Sequence, residues 1–278
     1  MSHWRRRCGY DLGALLARDV MVGSPNTSIL LIFARVKKAI SLDPGFTGVF
    51  YRGSVFNLTE GFAGSAPLTI LEEVLAKDDT PLSATVATLS GRWLAVYRET
   101  RDLADTFWQA NDADYFICID DDDEFMKRVG VIIAGLRIAV ATHGRTVHVS
   151  EPRRNPYADG DRTILIIDVH VSDIDPVISF VQAPSKRRME NVIDDFDFDI
   201  VRVIFDPRTQ LILTYEPVTE SILRGKANLT RSFLVTPGAP TMWEATRISS
   251  TLKRMVKYGE RGYTFSSYPE IVERSVED

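Results

Sequence analysis

The sequence predicts a mixed α/β fold, an α+β arrangement in which helices cover a mixed β-sheet, and three observations lead to this class. Apolar runs such as residues 113–119 and 162–171 have the length and the β-branched content of buried strands. Segments with apolar residues at helical spacing lie between these runs. The chain has 278 residues, of which 45% are hydrophobic, so it is large and apolar enough to form a full core.

The first hundred residues contain signals for both kinds of element. Polar residues at 26–28 can cap a helix whose apolar side chains recur at helical spacing from Ile29 to Ile40. Pro67 suits the first turn of a helix that continues to Leu75, because the first turn does not need the N–H that proline lacks. We further expect strands over residues 46–58 and 83–89 and a helix over 91–99.

The rest of the chain alternates in the same way. Aspartates at 120–123 follow the apolar run 113–119, and they suit a helix N-terminus because negative charge there meets the positive end of the helix dipole. That helix is expected to continue to about Thr142. A last amphipathic helix is predicted to face the core with Ile248, Leu252, Met255 and Val256 and to end near Gly259 or Gly262. In chain order, we expect strands at 145–149, 162–171, 196–205 and 210–216, and helices at 121–142, 186–194 and 244–260.

The segment 151–161 is rich in proline, glycine and charge. It fits an exposed loop within a single domain spanning residues 1–278, and it also fits a boundary between two lobes. Typical domain sizes favour the loop.

Charge and cysteine content restrict the function classes. The formal net charge of −5 gives no strong nucleic-acid signal. Two cysteines imply no disulfide framework. The longest apolar stretch, 129–142, is too short for a bilayer and contains Arg137. We therefore expect a soluble cytoplasmic protein without a membrane partner.

Carboxylates provide the clearest chemical pattern. Asp112 and Asp114 are separated by one residue at the start of a predicted strand, where alternate side chains share a face. Asp197 and Asp199 have the same spacing in a later predicted strand. Two carboxylates with a third from a neighbouring strand form an oxygen site suited to Mg²⁺ bound with nucleotide phosphates. The alternative is that these aspartates serve as turn and capping residues.

Three segments in order resemble nucleotidyltransferase-fold-like proteins of large DNA viruses and fungi. The first contains residues 89–94, Trp108 and the D-x-D strand at 111–119; the second is the F-D-x-D segment at 196–206. The third, residues 252–265, contains the pattern K-Y-x-x-R-G-Y.

The resemblance implies a nucleotidyltransferase-like core and a site built from all three segments. Ser90 and Gly91 would form the turn that faces the nucleotide phosphates. Lys257 and Arg261, with Arg254 beside them, would neutralise phosphate charge. The resemblance also implies that the metal ligands and the catalytic carboxylates are Asp112, Asp114 and Asp197.

The sequence departs from this family at the phosphate-binding turn. The family has Gly followed by Ser or Gly, whereas Arg92 follows Gly91, and 21 positions separate Gly91 from Asp112. The segment Arg52–Gly53–Ser54 has a better composition for the turn but lies further upstream. A degenerate, inactive member of the family fits these departures.

Two hypotheses from different classes follow. The first is a non-catalytic structural or interaction protein that retains this scaffold, such as a virus-encoded accessory or virion component with a protein partner. Trp108 and Trp243 would suit contacts with that partner, because tryptophan is favoured at interfaces, and they equally fit the core. The alternative is a metal-dependent nucleotidyltransferase that uses Mg²⁺ and an aspartate triad to transfer a nucleotide to a hydroxyl acceptor.

Overall fold

The computed structural model describes residues 7–11, 27–42, 58–77, 110–141, 144–158, 162–172, 176–184, 186–208, 211–230, 233–235, 241–266 and 271–273. Strands and helices alternate along these residues. No helix in this described part of the chain is both long and apolar enough to cross a membrane. The predicted strands 46–58 and 83–89 and the predicted helix 91–99 lie outside it, apart from Leu58.

The strands in the described ranges are β1 (Arg7–Asp11), β2 (Glu60–Ala63), β3 (Asp112–Ile117), β4 (Val147–Val149), β5 (Arg153–Ala158), β6 (Arg162–Val171), β7 (Val177–Gln182), β8 (Ile204–Asp206), β9 (Leu211–Tyr215), β10 (Lys226–Ala227), β11 (Phe233–Val235), β12 (Thr264–Phe265) and β13 (Ile271–Glu273). The helices are α1 (Thr27–Ser41), α2 (Ser65–Lys77), α3 (Asp122–Ala141), α4 (Met189–Asp194), α5 (Glu216–Leu223) and α6 (Met242–Glu260), with a 3₁₀ turn at Asp199–Val201.

Nine of the strands form one mixed sheet, which confirms the predicted fold class. Its order is β1-β9-β8-β2-β3-β7-β6-β4, and β5 also pairs with β6. Only the β3–β7 pair within this sheet is parallel; its other described pairs are antiparallel. Two small parallel pairs, β10–β12 and β11–β13, lie outside it.

A row of aromatic side chains fixes the register of the central strands. Phe205, Phe62, Tyr115 and Phe180 are aligned neighbours on β8, β2, β3 and β7, and all are buried. Phe33 of α1 stacks on Phe205 with ring centroids 4.1 Å apart. A slip of one residue would move this row out of the core, so the row also determines which face of β3 carries Asp114.

Strand β2 is anchored by a buried carboxylate. Glu60 accepts hydrogen bonds from Arg128 Nε at 2.8 Å and Nη2 at 2.6 Å, and from Arg208 Nη2 at 2.8 Å. Two guanidinium groups therefore satisfy the Glu60 carboxylate, which is 4% exposed, and connect the start of β2 to α3 and to the β8–β9 turn.

Two segments differ from their sequence-based prediction. Residues 196–203 were expected to be strand, but only Ile204–Asp206 is strand, and Asp199 instead begins the 3₁₀ turn. The segment 151–161, expected as a loop or lobe boundary, contributes β5, which pairs with β6 across a register shift.

The last helix is oriented differently from the expectation drawn from its apolar residues. Residues Glu244, Thr251, Met255 and Tyr258 are buried, whereas Leu252 and Val256 are 43% and 63% exposed. Polar side chains are buried because Glu244 closes a capping box with Thr241, and Thr251 donates to Asp197.

Helices α1 and α3 contact each other closely at Gly135. A Cβ atom at this position would lie 2.5 Å from the carbonyl oxygen of Ala39, whereas one at Gly130 of the same helix would meet nothing within 4 Å. We expect Gly135→Ala to lower the free energy of unfolding by about 1–3 kcal/mol, because the helices must separate to admit the methyl group. Urea denaturation measures this.

Gly130→Ala is the matched control for that variant. The same substitution on an exposed position of α3 is expected to raise the free energy of unfolding by about 0.5–1 kcal/mol, because alanine is the better helix former. Equal effects of the two substitutions would contradict the close packing at Gly135.

Candidate active site

Strand β3 presents its two aspartates on one face, as the alternation of side chains requires. Ala113, Tyr115 and Ile117 are buried in the core. Asp112 and Asp114 lie on the opposite, partly exposed face. The structure therefore brings this predicted pair of carboxylates together.

A polar row on that face runs across three strands. Asp114 is aligned with Ser179 of β7, and Ser179 is aligned with Asp168 of β6. The Ser179 hydroxyl donates to Asp168 Oδ1 at 2.7 Å. Two inter-strand spacings place the Cα atoms of Asp114 and Asp168 about 10 Å apart. Asp168 is thus a third carboxylate on the face that carries Asp112 and Asp114.

A Gly-Ser turn adjoins this row at the end of β2. Gly64 has φ +90°, which favours glycine, and its N–H donates to Val203 O at 3.2 Å. Ser65 begins α2 directly afterwards, and its hydroxyl donates to Asp112 Oδ1 at 3.4 Å. This turn brings a helix N-terminus, which suits anions, beside the carboxylate pair.

Two cations from the end of α6 act on the same carboxylates. Lys257 is half-buried, and its charge acts on Asp112 and Asp114. Burial lowers the pKa of Lys257, and the neighbouring Arg261 lowers it further. The charge of Arg261 acts on Asp112. The structure thus places Lys257 within electrostatic range of both carboxylates and Arg261 within electrostatic range of Asp112.

Asp114 is the most perturbed carboxyl group of the site. Burial, followed by the charge of Asp112, raises its pKa to about 7, and Asp168 contributes in the same direction. Lys257 and Arg153 lower the pKa but do not compensate. No hydrogen bond from another described residue reaches the Asp114 carboxylate. A partly buried carboxylate whose charge is not compensated, beside a second one, is suited to a cation.

This raised pKa predicts a pH dependence of stability. The folded protein holds the Asp114 proton more tightly than the unfolded chain, so its contribution is favourable at low pH and is lost as pH rises through about 7. In the presence of a chelator, we expect the free energy of unfolding of the wild-type protein to fall from pH 5 to pH 8. We expect this fall to exceed that of Asp114→Asn by about 1–3 kcal/mol, a range reduced because the group is partly exposed. Thermal unfolding at the two pH values measures this; parallel slopes would contradict it.

The other residues assigned from the sequence lie elsewhere. Ser90 and Gly91 are outside the described residues. Asp197 is buried, and its carboxylate accepts from Thr251 Oγ1 at 2.6 Å and forms an ion pair with Arg254. The charges acting on Asp114 come from Asp112, Lys257, Asp168 and Arg153, and Asp197 is not among them. The third carboxylate on this face is therefore Asp168. Asp197 and Arg254 contact each other.

Sequence reasoning missed Ser65 and Asp168, although both had a signal. Gly64–Ser65 follows an apolar segment and precedes a helical pattern, but the helix start was assigned to Pro67. Asp168 interrupts the apolar run 162–171 at a position that alternation places opposite the core-facing Val169. Neither signal points to the site until the pairing of the strands is known, and the sequence alone does not reveal that pairing.

The donor types at this face fit Mg²⁺, which prefers carboxylate oxygens and keeps several of its waters. Asp112 and Asp114 would hold it, because their negative charges are adjacent and incompletely balanced. In the described part of the chain, no three Asp, Glu, His or Cys side chains are grouped closely enough to hold a metal ion. The two-strand distance to Asp168 accounts for this, so the β3 pair is the primary candidate.

The sequence matches no protein-family model and no curated protein. Function therefore has to be inferred from the arrangement of Gly64, Ser65, Asp112 and Asp114 itself.

Proposed function

We propose that the protein binds a nucleoside triphosphate together with Mg²⁺ and transfers its nucleotidyl group to a hydroxyl acceptor, with release of pyrophosphate. The observation that carries this proposal is the contact of the Ser65 hydroxyl, at the N-terminus of α2, with Asp112 of the carboxylate pair. A phosphate-binding turn and a metal-binding pair are the two parts that metal-assisted phosphoryl chemistry needs at one place.

Each group has a separate task in this proposal. The α2 N-terminus at Ser65 and the cation of Lys257 would hold the triphosphate, and Arg261 would add positive charge beside Asp112. Asp112 and Asp114 would hold the metal, and Asp168 would take the proton of the acceptor hydroxyl once Arg153 releases it. When bound, Mg²⁺ would supply charge neutralisation of the phosphates and polarise the reacting phosphoryl group.

A second candidate is the binding module that the sequence also suggested. Leu252 and Val256 lie one helical turn apart on α6 and are 43% and 63% exposed, so this helix offers a small apolar surface to a protein partner. A non-catalytic protein would use this apolar surface of α6 to bind a partner and would not bind a nucleotide, although the same helix carries Lys257.

Calorimetric titration distinguishes the two functions. The wild-type protein is titrated with ATP, GTP, CTP and UTP in Mg²⁺, and again in chelator. We expect at least one nucleotide to bind only when Mg²⁺ is present, and Lys257→Ala to weaken that binding by about 10-fold, because one charge-assisted contact is lost. Lys253→Ala, on the exposed side of α6, is the matched control and should bind normally.

Two results would contradict the proposal. The first is the absence of nucleotide binding by the folded wild-type protein in Mg²⁺. The second is binding of equal strength in chelator, because the carboxylate pair would then have no role. The first result would favour the binding-module candidate.

A further inference from the structure

An arginine occupies the far end of the carboxylate row, which consists of Asp112 and Asp114 of β3, Ser179 of β7 and Asp168 of β6. Arg153 of β5 donates from Nε to Asp168 Oδ2 at 3.2 Å and from Nη2 to Oδ1 at 3.3 Å. Asp168 Oδ1 also accepts the Ser179 hydroxyl. Both oxygens of Asp168 are therefore engaged, and the guanidinium competes with any cation that approaches this carboxylate.

The influence of Arg153 extends along the row. Its charge acts on Asp114 as well as on Asp168, and in both cases it stabilises the ionised carboxylate. Any cation that binds at Asp112 and Asp114 therefore meets a positive group already present at the other end of the row.

The ion pair is placed where it can open. The Arg153 side chain is 54% exposed and that of Asp168 is 23% exposed. Exposed pairs of this kind separate at small cost, because water replaces their contacts.

We propose that Arg153 is an internal counter-ion of the carboxylate row that competes with a divalent cation, and that it thereby lowers the metal affinity of the protein. This inference rests on the proposed function, because it concerns the same carboxylates. Arg153 is a positioning residue in this account, acting through Asp168 and Asp114. Loss of its charge and its two hydrogen bonds makes the row more negative and frees Asp168.

The test measures Mn²⁺ affinity without nucleotide, using the electron paramagnetic resonance signal of free Mn²⁺. We expect Arg153→Ala and Arg153→Gln to bind Mn²⁺ about three- to tenfold more tightly than the wild-type protein. Arg153→Lys keeps the charge and is expected to stay near the wild-type value. Circular dichroism of each variant checks that it is folded.

Arg154 provides the matched control on the same strand. Its Nη2 donates to Asp122 Oδ2 at 2.8 Å, away from the row. Arg154→Ala removes the same charge and should leave Mn²⁺ affinity close to wild type. An equal gain of Mn²⁺ affinity in Arg153→Ala and Arg154→Ala would overturn the inference, because net charge alone would then explain the gain. An Arg153→Ala variant with unchanged Mn²⁺ affinity would overturn it as well.

Asp114→Asn separates failure of this inference from failure of the proposed function. If the wild-type protein binds Mn²⁺ and Asp114→Asn does not, but Arg153→Ala binds no more tightly, only the inference fails. If the folded wild-type protein and Arg153→Ala both bind no Mn²⁺, the metal site and the inference fail together.

Discussion

Asp114→Asn is expected to weaken Mg²⁺-dependent nucleotide binding by about 100-fold or more. The substitution keeps the shape of the side chain but removes a charged oxygen ligand, and Mg²⁺ depends on such ligands for binding. The nucleotide affinity that depends on the metal is then lost with it. Calorimetry at saturating Mg²⁺ measures the effect.

Asp123→Asn is the control for that variant. Asp123 is an exposed residue in the first turn of α3, so its replacement removes the same charge outside the carboxylate row. Nucleotide affinity is expected to change by less than about twofold, because exposed charges interact weakly across solvent. Equal losses in the two variants would indicate a general charge effect and would remove the argument for a site at Asp114.

Asp199→Ala is expected to lower the free energy of unfolding by about 3–5 kcal/mol, the largest stability effect that the structure predicts. Asp199 is 6% exposed and accepts four hydrogen bonds. These come from Ile200 N at 2.8 Å, Ser221 Oγ at 2.6 Å, and Asn228 N at 2.8 Å and Nδ2 at 2.6 Å. Alanine leaves these donors without their acceptor, so urea denaturation should show a large shift in midpoint.

Glu220→Ala serves as the stability control. Glu220 forms an exposed pair with Arg224 one turn later on α5, and such pairs contribute only about 0.3–0.5 kcal/mol. A loss in Asp199→Ala no larger than in Glu220→Ala would contradict the structural role of Asp199 and return it to the candidates for a metal ligand.

The elements that sequence predicted well are those whose signals are local. Helix α1 was expected from the spacing of Ile29 to Ile40, and β3 and α3 were expected from an apolar run followed by aspartates; all three are found. The pairing of Asp112 with Asp114 on one face was also predictable, since it depends only on the two-residue period of a strand.

The segment 196–206 shows where local signals fail. Alternating apolar and acidic residues at 196–199 are typical of a strand, but the structure has a 3₁₀ turn that begins at Asp199. In the structure, Asp197 and Asp199 accept from Thr251 and Ser221 respectively. These partners are distant in the chain, so tertiary hydrogen bonds override the local pattern.

The candidate site was only half predictable for the same reason. The sequence assigned Asp112, Asp114, Lys257 and Arg261 to the site, and in the structure the two cations lie within electrostatic range of this pair of aspartates. Ser65 and Asp168 were missed because their relevance depends on the neighbours of β3 in the sheet. The antiparallel pairing of β2 with β3 brings the turn after β2 to the end of β3 where Asp112 lies. The position of Ser179 between Asp114 and Asp168 depends on the register of β7.

Anomalous diffraction from crystals grown with Mn²⁺ and a non-hydrolysable nucleoside triphosphate tests the proposed site directly. We predict an anomalous peak bound by Asp112 and Asp114, with the phosphates between the N-terminus of α2 at Ser65 and the side chain of Lys257. A peak elsewhere, such as at the aspartates 120–123, or nucleotide bound away from Ser65, would contradict it.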